Sequence, residues 1–202
     1  AAWLSDKAYK SRRQRWMQWF SNILYLKMPL FNPDRLLTVL DRAFGRVLFS
    51  RATVIGAILI VLAGLGVVLS HTDQLADTPY SLFSWQNLLV LYTVFVITKV
   101  FHEFGHGLTC KHNGGEVSQM GVMLFFFTPS FYCDTSDAWM IPSRAARLWI
   151  NAGGVAVELV FAAVAAFVWH FTQADTLVNQ IALNVMISCS VATVFFNANP
   201  LM

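Results

Sequence analysis

The chain has 202 residues, of which 56% are hydrophobic and only 12% charged, with five histidines, three cysteines and a net charge of +3. Soluble domains carry about 25% charged residues, so this composition excludes an ordinary water-soluble globule and predicts an all-α integral membrane protein. The basic residues flank apolar runs and form no groove with stacking aromatics, which gives no case for nucleic acid as a partner.

Residues 1–51 read as a cytoplasmic, interfacial segment. The stretch 10–26 mixes Lys and Arg with Trp16, Trp19, Phe20 and Tyr25, a composition suited to the headgroup level of a lipid bilayer. Asn32-Pro33-Asp34 has the form of a helix start, with Asn as N-cap, Pro in the first position and Asp near the positive helix end. Beyond it Leu36, Leu37, Leu40, Phe44, Val47 and Leu48 share one face opposite Arg35, Arg42 and Arg46. Such a helix either lies in the interface or packs on a further cytosolic domain.

Residues 52–202 read as a membrane core with about four transmembrane helices, at 52–70, 82–109, 149–171 and 177–197, each near the ~20 apolar residues that a bilayer requires. The first and last are free of charge, the second holds Lys99 and Glu103, and the third holds Glu158. Lys and Arg crowd before the first span and return in the connection between spans two and three, at Lys111, Arg144 and Arg147. The 71–81 and 172–176 connections have none, so the positive-inside rule puts the N-terminus and the central connection in the cytoplasm.

The second span contains His102-Glu103-Phe104-Gly105-His106. Histidines four apart lie one above the other on a helix, so both imidazoles can address one ion. Glu103 points about a third of a turn away, in reach of a water at the metal without being a ligand itself. This is the H-E-x-x-H pattern of zinc hydrolases. Ionisable groups within a membrane helix are costly and default to a functional reading. From a start near Asn87, His102 lies about 22 Å along the helix, in the cytoplasmic third of a ~30 Å core.

Gly114-Gly115 closes this span, glycine being the residue that takes the left-handed closing conformation. The run that follows is too short to cross and rich in strand formers, and Gly121 and Pro129 bracket it. A β-hairpin or re-entrant segment is expected. The edge Gly121, Val122, Met123, Leu124, Phe125, Phe126 and Phe127 would either receive an extended substrate by strand addition or only seal the cavity.

Other polar residues have plainer readings. Lys99 pairs with Glu103 one turn on or reaches the inner interface. Asp134 and Cys133 suit a turn or cap, His71, His170 and His112 the interfaces, and Asn184, Ser188 and Ser190 contacts between helices. The three cysteines form no C-x-x-C pair, and no disulfide is expected.

Three elements together resemble the site-2 protease class of intramembrane zinc metallopeptidases, and within it a bacterial peptide zinc metalloprotease branch. They are His102-Glu103-Phe104-Gly105-His106, Gly154-Val155-Ala156-Val157-Glu158 and Asn197-Ala198-Asn199-Pro200, and the likeness covers about residues 20–202. The resemblance implies Zn²⁺ on His102 and His106, with Glu103 as catalytic base and Gly154, Glu158, Asn197 and Pro200 as supporting residues. Glu158 stands where the class more often has Asn, Ser or Gly. The last motif continues in that class as N-x-x-P-x-x-x-x-D-G, and its Asp, the third zinc ligand, falls three positions past Met202. The core is therefore expected to be incomplete at its C-terminal side. The implied substrate is a membrane-associated protein or peptide cut near the cytoplasmic face of a bacterial inner membrane; complex partners are not named by the residues. The alternative is a metal-binding or non-catalytic scaffold subunit of an export or assembly complex. A diiron lipid desaturase or hydroxylase needs about eight clustered histidines, and five are present.

Overall fold

The computed structural model describes residues 25–76, 84–125, 128–174 and 176–196. A strand, β1 (Tyr25–Phe31), leads into a helical arm made of α1 (Asp34–Leu40), a π-helical turn (Asp41–Gly45) and the single turn α2 (Arg46–Leu48). Then come α3 (Arg51–Ser70), the short α4 (Thr72–Ala76) and α5 (Trp85–His112). A hairpin of β2 (Met120–Phe125) and β3 (Thr128–Cys133) and a 3-10 turn (Ser136–Met140) precede α6 (Arg144–Phe171) and α7 (Leu177–Phe196).

Among the described residues, α3, α5 and α6 are long and apolar enough to cross a membrane, and the apolar stretch Leu177–Ser190 of α7 is shorter. Each of the three opens on a serine cap. Ser50, Ser84 and Ser143 accept from the backbone N–H three residues on, at 3.1, 3.3 and 3.3 Å, which satisfies a donor that the helix leaves over. Gly114, at φ +86°, ends α5 as its position predicts.

α6 is the hub, packed against α3, α5 and α7. The approach to α3 and α5 rests on small residues: a Cβ on Gly64 would lie 2.9 Å from that of Ala163, and a Cβ on Gly105 would lie 2.6 Å from the Gly153 carbonyl oxygen. Close backbone approach of this kind is how helices associate where lipid supplies no hydrophobic drive. Helices α5 and α6 run antiparallel, since His106 meets Ile150 while Lys99 meets Glu158. In contrast, only Gly64 of α3 is buried in the protein, and Ile55, Ile58, Leu59, Leu62, Leu65 and Leu69 are exposed.

The three strands form one antiparallel sheet in the order β1-β2-β3. β1 is an element that the sequence did not announce. It pairs with β2 from Tyr25↔Phe125 to Phe31↔Met120, with a register shift between Pro29 and Phe31. Proline, which cannot donate to a ladder, thus sits on an edge strand beside an irregularity. This corrects the expectation of an open edge along 121–127: β2 is the central strand, paired on both sides. Gly121 serves that pairing, because a Cβ there would strike the Met28 carbonyl oxygen. Phe126 and Phe127 lie outside the described residues.

The arm begins where the sequence places it, one residue later at its cap. Asn32 Oδ1 accepts from Asp34 N–H at 2.9 Å, and the helix proper starts at Asp34. Of its apolar face only Leu37 is fully buried, and Leu36, Phe44, Val47 and Leu48 are exposed. The arm is pinned to the end of α5. Lys111 Nζ donates to Asp34 Oδ1 at 2.7 Å, Val117 N–H donates to the same oxygen at 3.2 Å, and His112 sits 2.8 Å from Asp41 while stacking on Phe49. Asn184 and Ser188 make the interhelical contacts expected of them, to Asn87 and Thr98; Ser190 is exposed.

Candidate metal centre

His102 and His106 follow one another on the α6-facing stripe of α5. Gly105, between them, lets the Gly153 backbone come close, and this sets the next turns of α6 against both rings. His106 Nδ1 lies 2.7 Å from the Ile150 carbonyl oxygen. A carbonyl only accepts, so Nδ1 carries the proton and Nε2 of the neutral ring presents a lone pair. His102 Nδ1 lies 3.2 Å from Glu158 Oε1, within ion-pair range although outside hydrogen-bond geometry. A proton on that nitrogen would face the carboxylate and leave Nε2 with a lone pair in turn.

The two Nε2 atoms are 3.0 Å apart. At that distance either one ring donates an Nε2 proton to the other, or both lone pairs are turned to one metal ion. Two nitrogens on a tetrahedral zinc, at about 2.0–2.1 Å each, are about 3.3 Å apart. The spacing therefore fits a shared zinc. Gly154 keeps the approach clear: a Cβ there would lie 2.5 Å from His106 Nε2 and 2.6 Å from His102 Nε2. Both ring orientations come from the opposite helix, through Ile150 and Glu158, the kind of outer contact that fixes a metal-binding histidine.

Glu158 is wholly buried, and its Oε1 also receives Lys99 Nζ at 2.6 Å. Lys99 thus pairs across to α6 and not with Glu103 one turn along its own helix. Glu103 lies half-buried, with the Cys133 backbone N–H facing its carboxylate. In the hairpin Asp134 N–H bonds the Gln119 carbonyl at 2.9 Å. Because antiparallel pairs alternate, the backbone groups of Phe131 and Cys133 point away from β2, toward the α5 side. This contact of β3 with Glu103 is the feature that reading the sequence missed, and nothing local in Thr128–Cys133 announces it.

Asp134 takes the turn role. Its Oδ1 accepts from Ser136 N–H at 3.2 Å and from the Ser136 hydroxyl, and these bonds hold its carboxyl below the ordinary carboxylate value. Burial pushes the Cys133 thiol up, away from the thiolate form that a nucleophile needs. His71 and His170 meet edge to face at the shared end of α3 and α6, and His112 is engaged with the arm; all three are remote from the pair on α5. Asn197 and Pro200 lie outside the described residues.

Among the described residues no group of three or more His, Cys, Asp or Glu side chains could hold a metal ion. No family model, curated protein or solved structure matches the chain.

Proposed function

We propose that the protein is an intramembrane zinc metalloprotease of the site-2 protease type, cutting a membrane-associated protein or peptide near the cytoplasmic face. One observation carries the reading: two histidine Nε2 atoms lie 3.0 Å apart inside an apolar helix pair, with a carboxylate one residue from the first. The exposed apolar surface of α3 supports a bilayer around it, since it would be costly in water.

In this reading His102 and His106 hold Zn²⁺ through Nε2, with a further ligand from elsewhere. Bound zinc supplies Lewis acidity, polarising the scissile carbonyl and making water nucleophilic near neutral pH. Glu103 takes the proton from the attacking water and returns it to the leaving amine. The Cys133 amide of β3 faces that carboxylate. A membrane helix has its amides internally bonded, so a substrate must unwind to be cut. The outward backbone of Phe131, near Glu103, offers an extended segment its partners, in place of the β2 edge that β1 occupies.

A second reading, a scaffold that binds metal or none, is favoured by the lack of a third ligand among the described residues. Elemental analysis of the purified protein and of His102→Ala tests the metal: about one zinc per chain against none is expected, and equal negligible zinc in both sinks the proposal. Glu103→Gln then tests catalysis. It should keep its zinc while cleavage of a membrane-tethered peptide falls about 10²–10⁴-fold. Unchanged cleavage would leave the scaffold.

A further inference from the structure

Lys99 and Glu158 form a pair that the hydrolysis scheme leaves unused. Both lie in helices that are otherwise apolar at this level, and Glu158 is wholly enclosed. Burying an ion pair is rarely a net gain in stability over apolar side chains of the same size, so stability alone gives no reason for one here. The geometry supplies a reason. One oxygen, Glu158 Oε1, faces both Lys99 Nζ at 2.6 Å and His102 Nδ1 at 3.2 Å. Lys99 comes from the turn before His102, on the same helix, and Glu158 comes from the helix opposite. Lysine therefore holds the carboxylate in place, and the carboxylate in turn faces Nδ1 of His102.

We infer that Lys99 and Glu158 are positioning residues for the metal: together they fix the His102 ring with Nδ1 protonated, so that Nε2 points at Nε2 of His106. The inference rests on the proposed zinc site. His106 needs no such pair, because the Ile150 carbonyl does the same for its Nδ1. The two ligands are thus oriented by unlike means, one by backbone and one by a side-chain ion pair. Only the second is open to mutation.

The test is zinc retention by the full-length protein in detergent against a graded chelator. Loss of such outer contacts typically weakens metal binding 10- to 100-fold. Glu158→Gln and the paired apolar change Lys99→Met/Glu158→Leu should both show a shift of that size, while Glu158→Asp with Lys99 intact should recover part of it. The paired change removes both charges at once, so it leaves no lone ion in the bundle and its melting temperature should stay near that of the wild type. Wild-type retention in the paired variant would overturn the inference, as a purely structural pair predicts that result. Nitrogen NMR of the zinc-loaded wild type gives a reading independent of any variant. His102 should carry its proton on Nδ1, and a proton-free Nδ1 would also overturn the inference. The underlying metal reading fails separately, if the wild type holds no more zinc than His102→Ala.

Discussion

Helix α5 carries polar side chains into the bundle at two levels, and its neighbours answer them in opposite ways. Near its start, Asn87 and the buried Asn184 of α7 exchange hydrogen bonds in both directions, at 2.7 and 3.3 Å, and further along the Thr98 and Ser188 hydroxyls lie 3.5 Å apart. There donor meets acceptor, and the contact calls for nothing more. One turn beyond Thr98 the pattern changes: two imidazole nitrogens lie 3.0 Å apart, with the Ile150 carbonyl behind one ring and the Glu158 carboxylate behind the other. A neutral cluster that satisfies itself holds helices together. A cluster that presents two lone pairs to one point requires a cation. In the proposed reading the same helix thus carries glue at one level and a site at the other, told apart by the partners of the polar groups and not by how polar the residues look.

The sharpest way to break this contrast is a methyl group at Gly154. Gly154→Ala would set a Cβ within 2.5–2.6 Å of both Nε2 atoms. Overpacking costs about 1–3 kcal/mol, and here it falls on the metal geometry, which amounts to about 5- to 150-fold weaker zinc binding. Alanine is the better helix former by about 1 kcal/mol, so helix stability should not fall. Zinc content after dialysis, with circular dichroism on the same sample, checks both halves of this expectation. Gly153→Ala is the partner experiment. Its Cβ would lie 2.6 Å from the Gly105 carbonyl oxygen and from Thr109 Oγ1 and would force the helices apart. A loss of about 1–3 kcal/mol in unfolding free energy in detergent is expected, with zinc loss following from it. If Gly154→Ala lost stability and Gly153→Ala did not, the assignment of metal to one and packing to the other would be reversed.

The parts legible in the sequence are those where one helix carries the information. The i, i+4 spacing of His102 and His106 makes them neighbours whatever else folds, and Gly114 closes α5 because few other residues take its φ. Gly154 and Glu158 are four apart for the same reason, and so meet the rings together. What could not be read depends on two segments far apart in the chain. Lys99 had two carboxylates to choose from, Glu103 on its own stripe and Glu158 across the bundle; the antiparallel approach at Gly105 and Gly153 decided for the second. β1 pairs with a strand some ninety residues later, and Pro29 in its middle argues locally against a strand at all. Its presence moved the expected docking edge from β2 to the far side of β3.

A smaller effect is expected at the other level of α5. Asn184→Leu removes one partner of the amide pair, and interhelical hydrogen bonds of this kind are worth about 0.6 kcal/mol, up to about 1.7. The double change Asn87→Leu/Asn184→Leu should cost less than the sum of the two single changes, because it leaves no buried amide without its partner. Zinc retention should stay at the wild-type level in all three. A loss of zinc in Asn184→Leu would tie the two levels together and break the distinction between glue and site.

The smallest effect is expected at the arm, beside the C-terminal end of α5. Lys111 beside Asp34 holds that carboxyl below its ordinary value, against partial desolvation and with help from Val117 N–H. The folded-state value is depressed, so the contact contributes its stability above the unfolded value of 3.8 and loses it as pH falls from there through the folded value. The pair is partly exposed, at 17% and 29%, and its worth is at most about 1 kcal/mol after screening. Hydrogen exchange of Asp34–Leu40 should thus be slower at pH 6 than near pH 3 by a few-fold once intrinsic exchange rates are divided out, and Lys111→Met should remove most of that difference. Zinc retention at pH 6 should be the same in Lys111→Met as in the wild type, because Lys111 lies about 13 Å of helix beyond His102 and the substitution leaves the Leu37 contact with Gly107 in place. A Lys111→Met protein that kept the full pH dependence would show that the arm is held by Leu37 and its apolar neighbours, with the charges incidental.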